Sequence, residues 1–161
     1  MATAVVYYSF GGNCALAAKA LAEKLGSKLV ELKESKPRPE KINFMTMGFQ
    51  AALGVRTRLA GDPAAQVADC DTLHVLTPVW ASSLTPAVRS FLSRTDLKGK
   101  RVHLYAVMAD PALNVEKVEA AARKLVAAAG GTLAAVRGVH GAAPGKPPRE
   151  DVAADIRALA P

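Results

Sequence analysis

VVYYSFGGN, from Val5 to Asn13, changes character halfway along. Val5, Val6, Tyr7 and Tyr8 are β-branched or aromatic. After Ser9, Phe10, Gly11, Gly12 and Asn13 an alanine- and leucine-rich helical pattern begins at Cys14. This order predicts a strand, a glycine loop and a helix in succession. A helix that starts directly after such a loop turns unpaired backbone N–H groups, and the positive end of its dipole, toward whatever occupies the loop. Both favour an anion such as phosphate. The glycines have a second reading, because a tight reversal of the chain also requires them.

Residues 3–8 are apolar on both faces, as in a central strand of a parallel sheet covered by helices on both sides. Leu16, Ala17, Ala20, Leu21 and Leu25 stand at helical spacing over residues 13–25, with Gly26 as the C-terminal stop. Residues 29–32 give a second strand, and the charged, proline-containing segment 33–40 reads as a surface loop. In residues 42–60, Met45, Met47, Phe49, Ala52 and Leu53 suggest a helix interrupted by Gly48 and Gly54. Core is the expected role of that stretch, with a lid over a ligand as the alternative.

Residues 72–77 (TLHVLT) form a third strand, in which His74 has no second ligand nearby in sequence and is read as structural. Pro78 to Ser83 follow as a loop, and Thr85 caps a helix with Pro86 in its first turn. Residues 102–107 form a fourth strand, and Met108, Ala109, Asp110 and Pro111 a further loop. Val115, Val118, Ala122, Leu125 and Val126 mark a long amphipathic helix ended by Gly130 and Gly131. Residues 132–136 form a fifth strand, 138–148 a glycine- and proline-rich loop, and 150–159 a final helix.

The 161 residues, half of them hydrophobic, suit one domain covering the whole chain, 1–161. No apolar run is long enough to span a bilayer, and the N-terminus opens on a strand rather than a signal sequence, so no membrane association and a cytoplasmic location are expected. Cys14 and Cys70 lie far apart without a CxxC pattern, which argues against a disulfide framework or a zinc site, and no metal is expected. A net charge of +7 and a pI near 9.7 raise the question of nucleic acid. The basic residues are dispersed, with no arginine-rich arm and no RNP-like aromatic motif, so no specific nucleic-acid partner is expected.

Strands alternating with helices predict an α/β fold, a doubly wound five-stranded parallel sheet with right-handed crossovers. The strand order 2-1-3-4-5 opens a crevice between strands 1 and 3. Ser9 to Cys14, Pro78 to Ser83 and Met108 to Asp110 then converge on one mouth.

YYSFGGN after the first strand, TPVWASSLTPAVRSFL after the third, and the order of elements over nearly the whole chain resemble the flavodoxin-like family of small FMN-binding proteins. The resemblance implies FMN as cofactor. Ser9, Gly11, Gly12, Asn13 and Cys14, with Phe10 in the same loop, would hold the phosphate. Pro78, Val79, Trp80 and Ala81 would contact the isoalloxazine, and Met108, Ala109 and Asp110 would approach its edge. It further implies electron transfer or flavin-dependent reduction, with a redox partner protein or small-molecule acceptor. Whether the chain is an oxidoreductase or a carrier, and whether it forms a homodimer, is left open. No catalytic side chain is required, since the flavin carries the electrons.

The sequence departs from the family at two hydroxyl positions, now Gly11 and Cys14. Each lost hydrogen bond to a charged phosphate is worth about 1.5–3 kcal/mol. The alternative reading is therefore a flavodoxin-fold binding or regulatory module with weakened or lost FMN binding. In the first turn of its helix, Cys14 is expected to have a lowered pKa and to be reactive, more so than Cys70 between two aspartates. A cysteine phosphatase would need arginine six positions after Cys14, where Ala20 stands, and a receiver domain would need aspartate where Thr77 stands.

Overall fold

Helix follows strand along the chain because apolar runs with period near two give way to apolar stripes with period 3.6. The computed structural model describes residues 2–39, 44–110, 115–143 and 145–161. Of the segments read from sequence, Glu40, Ile42, Asn43, Pro111 and Pro144 fall outside the described residues. The elements are β1 (Thr3–Tyr7), α1 (Asn13–Leu25), β2 (Lys28–Glu31), α2 (Phe44–Ala52), α3 (Pro63–Gln66), β3 (Thr72–Trp80), β4 (Ser83–Leu84), α4 (Pro86–Arg94), β5 (Arg101–Met108), α5 (Val115–Ala128), β6 (Thr132–His140) and α6 (Val152–Leu159).

Five strands lie in the order β2-β1-β3-β5-β6, every neighbouring pair parallel, and β4 pairs antiparallel with the end of β3. This is the expected 2-1-3-4-5 sheet with one short strand added. β1 sits centrally, with Val6 opposite both Val30 and Val75. Its residues, with Tyr8 just beyond, alternate between two buried layers. Ala4, Val6 and Tyr8 pack with Phe91, Leu92, Val118 and Val126 of α4 and α5. Val5 and Tyr7 pack with Ala17, Ala18 and Leu21 of α1 and Val152 and Ile156 of α6. A strand apolar on both faces is what this two-sided burial demands.

Several expectations are corrected. β3 runs to Trp80 rather than ending at Thr77, because residues 79 and 80 pair back onto Leu84 and Ser83 as a hairpin. β6 continues past Val136 to His140, because Arg137, Gly138, Val139 and His140 pair with Tyr105, Ala106, Val107 and Met108 of β5. The 33–40 segment is not simply a solvated loop. Ser35 N–H donates to Arg58 O at 2.8 Å and Ala60 N–H to Lys33 O at 2.8 Å, and this pairing buries Glu34. In and just after α2 the core reading holds for Met47, 1% exposed, and for Ala51, whereas Ala52 is exposed and Met45, Phe49 and Leu53 are 79%, 64% and 65% exposed. Four-residue spacing puts these three on one outward face.

Thr85 occupies the N-cap of α4 but makes no side-chain cap; its Oγ1 lies 3.3 Å from Thr77 Oγ1 instead. His74 is structural as expected. Its Nδ1 is 3.0 Å from Tyr105 Oη and its ring stacks on His103 at 4.8 Å. Burial, and then the neighbouring His103, push its pKa down to about 4. No helix among the described residues is long and apolar enough to cross a membrane.

Candidate functional site

At the carboxyl ends of β1, β3, β5 and β6 the loops enclose a cavity of about 370 Å³. That volume suits a small molecule, and the position is where an open parallel sheet with this strand order leaves a crevice. From the first loop, Ser9, Phe10, Gly11, Asn13 and Cys14 line it; from the second, Pro78, Val79 and Trp80; from the third, Met108 and Ala109. Gly12, Ala81 and Asp110, also expected at the site, are not among the residues that line the cavity.

The first loop is shaped from within. Ser9 Oγ accepts hydrogen bonds from Gly12 N–H at 3.2 Å and Ala15 N–H at 3.3 Å. Gly12 has φ 93°, left-handed backbone, and a methyl group there would sit 2.7 Å from Pro148 Cγ. Only glycine fits both conditions without displacement. Asn13 is turned to a structural task as well: its Oδ1 accepts from Ala142 N–H at 3.2 Å and Arg149 N–H at 3.1 Å, tying the loop after β6 to the start of α1. The N–H groups of Gly11, Asn13 and Cys14 donate to no protein acceptor among the described residues. They remain the loop's ready anion donors, as the first N–H groups of a helix are.

The expected reactivity of Cys14 is overturned. Its side chain is 2% exposed and packs between α1 and the sheet, and burial pushes its pKa well up. The helix dipole favours a thiolate, but desolvation of the charged form outweighs it here. Cys70 is also buried, and its pKa is raised by burial first and by Asp69.

Trp80 enters the cavity wall from the end of β3. The turn beyond it, Ala81 and Ser82, has positive φ at both residues, 48° and 58°, which are the backbone angles of a tight two-residue hairpin turn. Neither residue is glycine, so the turn carries a steric cost. The indole packs edge-on against Tyr8 at 5.9 Å and Phe10 at 6.1 Å, and the Arg38 guanidinium lies over its ring at 5.1 Å.

Arg38 is itself fixed. Its Nε donates to Glu34 Oε2 at 2.7 Å, one terminal nitrogen to Glu34 Oε1 at 2.9 Å and the other to Gln50 Oε1 at 2.7 Å. Tyr8 Oη donates to the same Glu34 Oε2 at 2.9 Å. Burial and then the Glu34 charge raise the Tyr8 pKa. A two-pronged pair holds a guanidinium in one plane, so the indole beneath it is held too.

One wall carries no motif in the sequence. Val107, at the end of β5, and Ala142, Ala143, Gly145 and Lys146, after β6, also line the cavity. The signal was the glycine- and proline-rich composition of 138–148 at the carboxyl end of the last strand. Composition alone did not say which way that loop folds.

No family model and no curated protein matches the chain. Solved structures do match. One is a candidate flavoprotein from Bacteroides eggerthii, 17% identical, with a TM-score of 0.76 over 98% of this chain and 94% of that one. A second candidate flavoprotein, from Bacteroides uniformis, is 22% identical, with a TM-score of 0.72 over 97% of each chain. A flavoprotein from Lactobacillus acidophilus, solved in complex with FMN, is 19% identical, with a TM-score of 0.67 over 85% of this chain and 92% of that one. Flavodoxins proper are among the further matches. With the strand order and the two-sided helical layers, these likenesses show that the chain has the flavodoxin-like fold.

Proposed function

We propose that the chain binds FMN in the cavity at the carboxyl edge of the sheet and works as a flavin redox protein. The observation that carries this reading is the joint placement of free helix N-terminal N–H groups and a fixed tryptophan on one cavity of about 370 Å³. The N–H groups of Gly11, Asn13 and Cys14 would hold the phosphate, with Lys146, on the wall after β6, supplying positive charge to the same cavity. Pro78, Val79 and Trp80 on one side, and Met108 and Ala109 on another, offer the apolar surface an isoalloxazine requires. Bound FMN supplies the electron or hydride chemistry, while the chain orients it and excludes water. A matched structure that contains FMN supports the choice of flavin. Electron transfer to a partner protein or reduction of a small molecule both suit such a site, in a cytoplasmic setting.

One observation favours the second reading, a module with weakened flavin binding. Ser9 Oγ is engaged by the amides of Gly12 and Ala15, and Cys14 is turned into the core, so the loop relies on backbone donors. Titration with FMN and with riboflavin, followed by flavin fluorescence, separates the two. Tighter binding of FMN than riboflavin, with Trp80→Ala weakening both about tenfold, is the expected outcome for a ring contact worth near 1.4 kcal/mol. Absence of binding to either flavin would sink the redox reading and leave the module.

A further inference from the structure

A second cavity, also of about 370 Å³, opens beyond the Arg38–Trp80 contact. Glu34, Lys36, Arg38, Gln50, Arg56 and Pro86 are among the residues that line it. Its charge balance is one-sided. Among the described residues Glu34 is the only acidic one in the wall, and Arg38 already claims both of its oxygens. Lys36 and Arg56 remain, and among the described residues neither takes part in an ion pair.

Arg89 of α4 is not among the residues that line the cavity, but the Arg56 charge acts on it, and among the described residues it too is in no ion pair. Its Nε is buried without a hydrogen-bond partner among the described residues, and a methyl group built on Gly54 would sit 3.7 Å from its guanidinium. Burial first, and then the Arg56 charge, lower the Arg89 pKa. Like charges such as those of Arg56 and Arg89 repel, and a buried N–H without an acceptor costs stability. The arrangement is not loose. The 54–57 segment is pinned to α4 by two hydrogen bonds of one hydroxyl, Thr57 N–H donating to Ser90 Oγ at 2.8 Å and Ser90 Oγ to Thr57 O at 2.6 Å. Val55 N–H donates to Gln50 O at 3.0 Å, continuing the anchor from α2.

We infer that this cavity is a binding site for the phosphate group of a small molecule, held by Arg56 and Lys36 with Arg89 adding charge from α4 and Arg38 as a fixed side wall. Guanidiniums are matched to phosphate oxygens by their planar fork of donors, and a dianion answers more of the uncompensated charge than one carboxylate does. The site is concave, with residues from 34–39 and from 55–57 in its wall, which suits a small molecule rather than a flat macromolecular surface. The inference is independent of the flavin reading, because the two cavities share only the Arg38–Trp80 partition.

Inorganic pyrophosphate is the probe, titrated calorimetrically into the full chain with and without saturating FMN. Arg56→Gln and Lys36→Gln are the test variants. Lys124→Gln, at an exposed position of α5, removes the same charge elsewhere. Pyrophosphate should bind the wild type, Arg56→Gln should weaken it about tenfold or more, in keeping with a lost charge-assisted bond, and Lys124→Gln should leave it unchanged. FMN should not compete. Arg56→Gln should also raise the melting temperature of the unliganded protein, by relieving the repulsion of Arg89.

Three results overturn the site: no pyrophosphate binding; equal weakening by Arg56→Gln and Lys124→Gln, which is general attraction to a basic protein; or binding that FMN displaces and Arg56→Gln does not alter. The last would place the anion at the glycine loop and leave the flavin reading standing. Failure of FMN to bind, with pyrophosphate behaving as expected, would end the flavin reading and leave this one.

Discussion

The loop after β1 and the hairpin after β3 face each other across the cavity, and they are stabilised differently. The first loop uses its own atoms: Ser9 Oγ closes onto two amides a few residues on, and Gly12 supplies the backbone angle. The hairpin depends on a segment distant in sequence, since Trp80 is held by Arg38, and Arg38 by Glu34 and Gln50. A local device forms with little loop closure, whereas a distant one requires the 34–38 segment, the 58–60 segment and α2 to be in place first. The first wall should therefore answer mainly to backbone changes and the second mainly to charge changes far from the cavity.

The largest expected effect tests the distant device. Glu34 and Arg38 side chains are 4% and 11% exposed, so Glu34→Ala leaves a nearly buried guanidinium without its charged partner, with Gln50 Oε1 as its remaining acceptor, and the Tyr8 hydroxyl without its acceptor. A loss of about 3–5 kcal/mol in chemical denaturation is expected. Replacing both partners by methionine should recover much of it, since an apolar pair carries no desolvation cost. A single-variant loss below about 1 kcal/mol, the scale of an exposed pair, would mean that the network does not hold the indole wall.

Next comes the local device. Gly12→Ala combines about 1–2 kcal/mol for left-handed backbone with about 1–3 kcal/mol for the overlap with Pro148, so a loss near 3 kcal/mol is expected. Gly11, with open space around it, should accept alanine at little cost, and urea unfolding of the two variants side by side makes the comparison. Equal losses at both positions would show that the contact with Pro148 has no bearing on the loop.

The smallest effect has the opposite sign. Ser82 sits at φ 58° without being glycine, so Ser82→Gly should stabilise the hairpin by about 0.5–1 kcal/mol after glycine's own entropic cost is deducted. A destabilised variant would indicate that the Ser82 side chain has a role that outweighs the relief of backbone strain.

Much of this architecture is legible in the sequence because it rests on short-range pattern. The run from Val5 to Tyr8, the glycines at 11 and 12 and the stripe from Leu16 to Leu25 are set by periodicity and backbone sterics, which act between neighbours. The order of the strands follows as well, since parallel connections of one hand leave few alternatives. Three of the cavity's walls could thus be named by residue, along with Trp80 at its edge.

What tertiary structure alone decided is where each polar group turns. Asn13 and Cys14 stand side by side in the loop, yet one reaches to Ala142 and Arg149 and the other enters the core. Nothing in GGNC distinguishes them, because the choice depends on residues far along the chain, Ala142 and Arg149 at Asn13 and Pro148 at Gly12. In the same way Glu34, in a segment charged enough to read as solvated surface, is buried by pairing with residues 58–60 and by Arg38. The physical reason is range. Pattern and propensity are properties of neighbouring residues, whereas desolvation and hydrogen-bond partnership depend on what the fold brings from far along the chain.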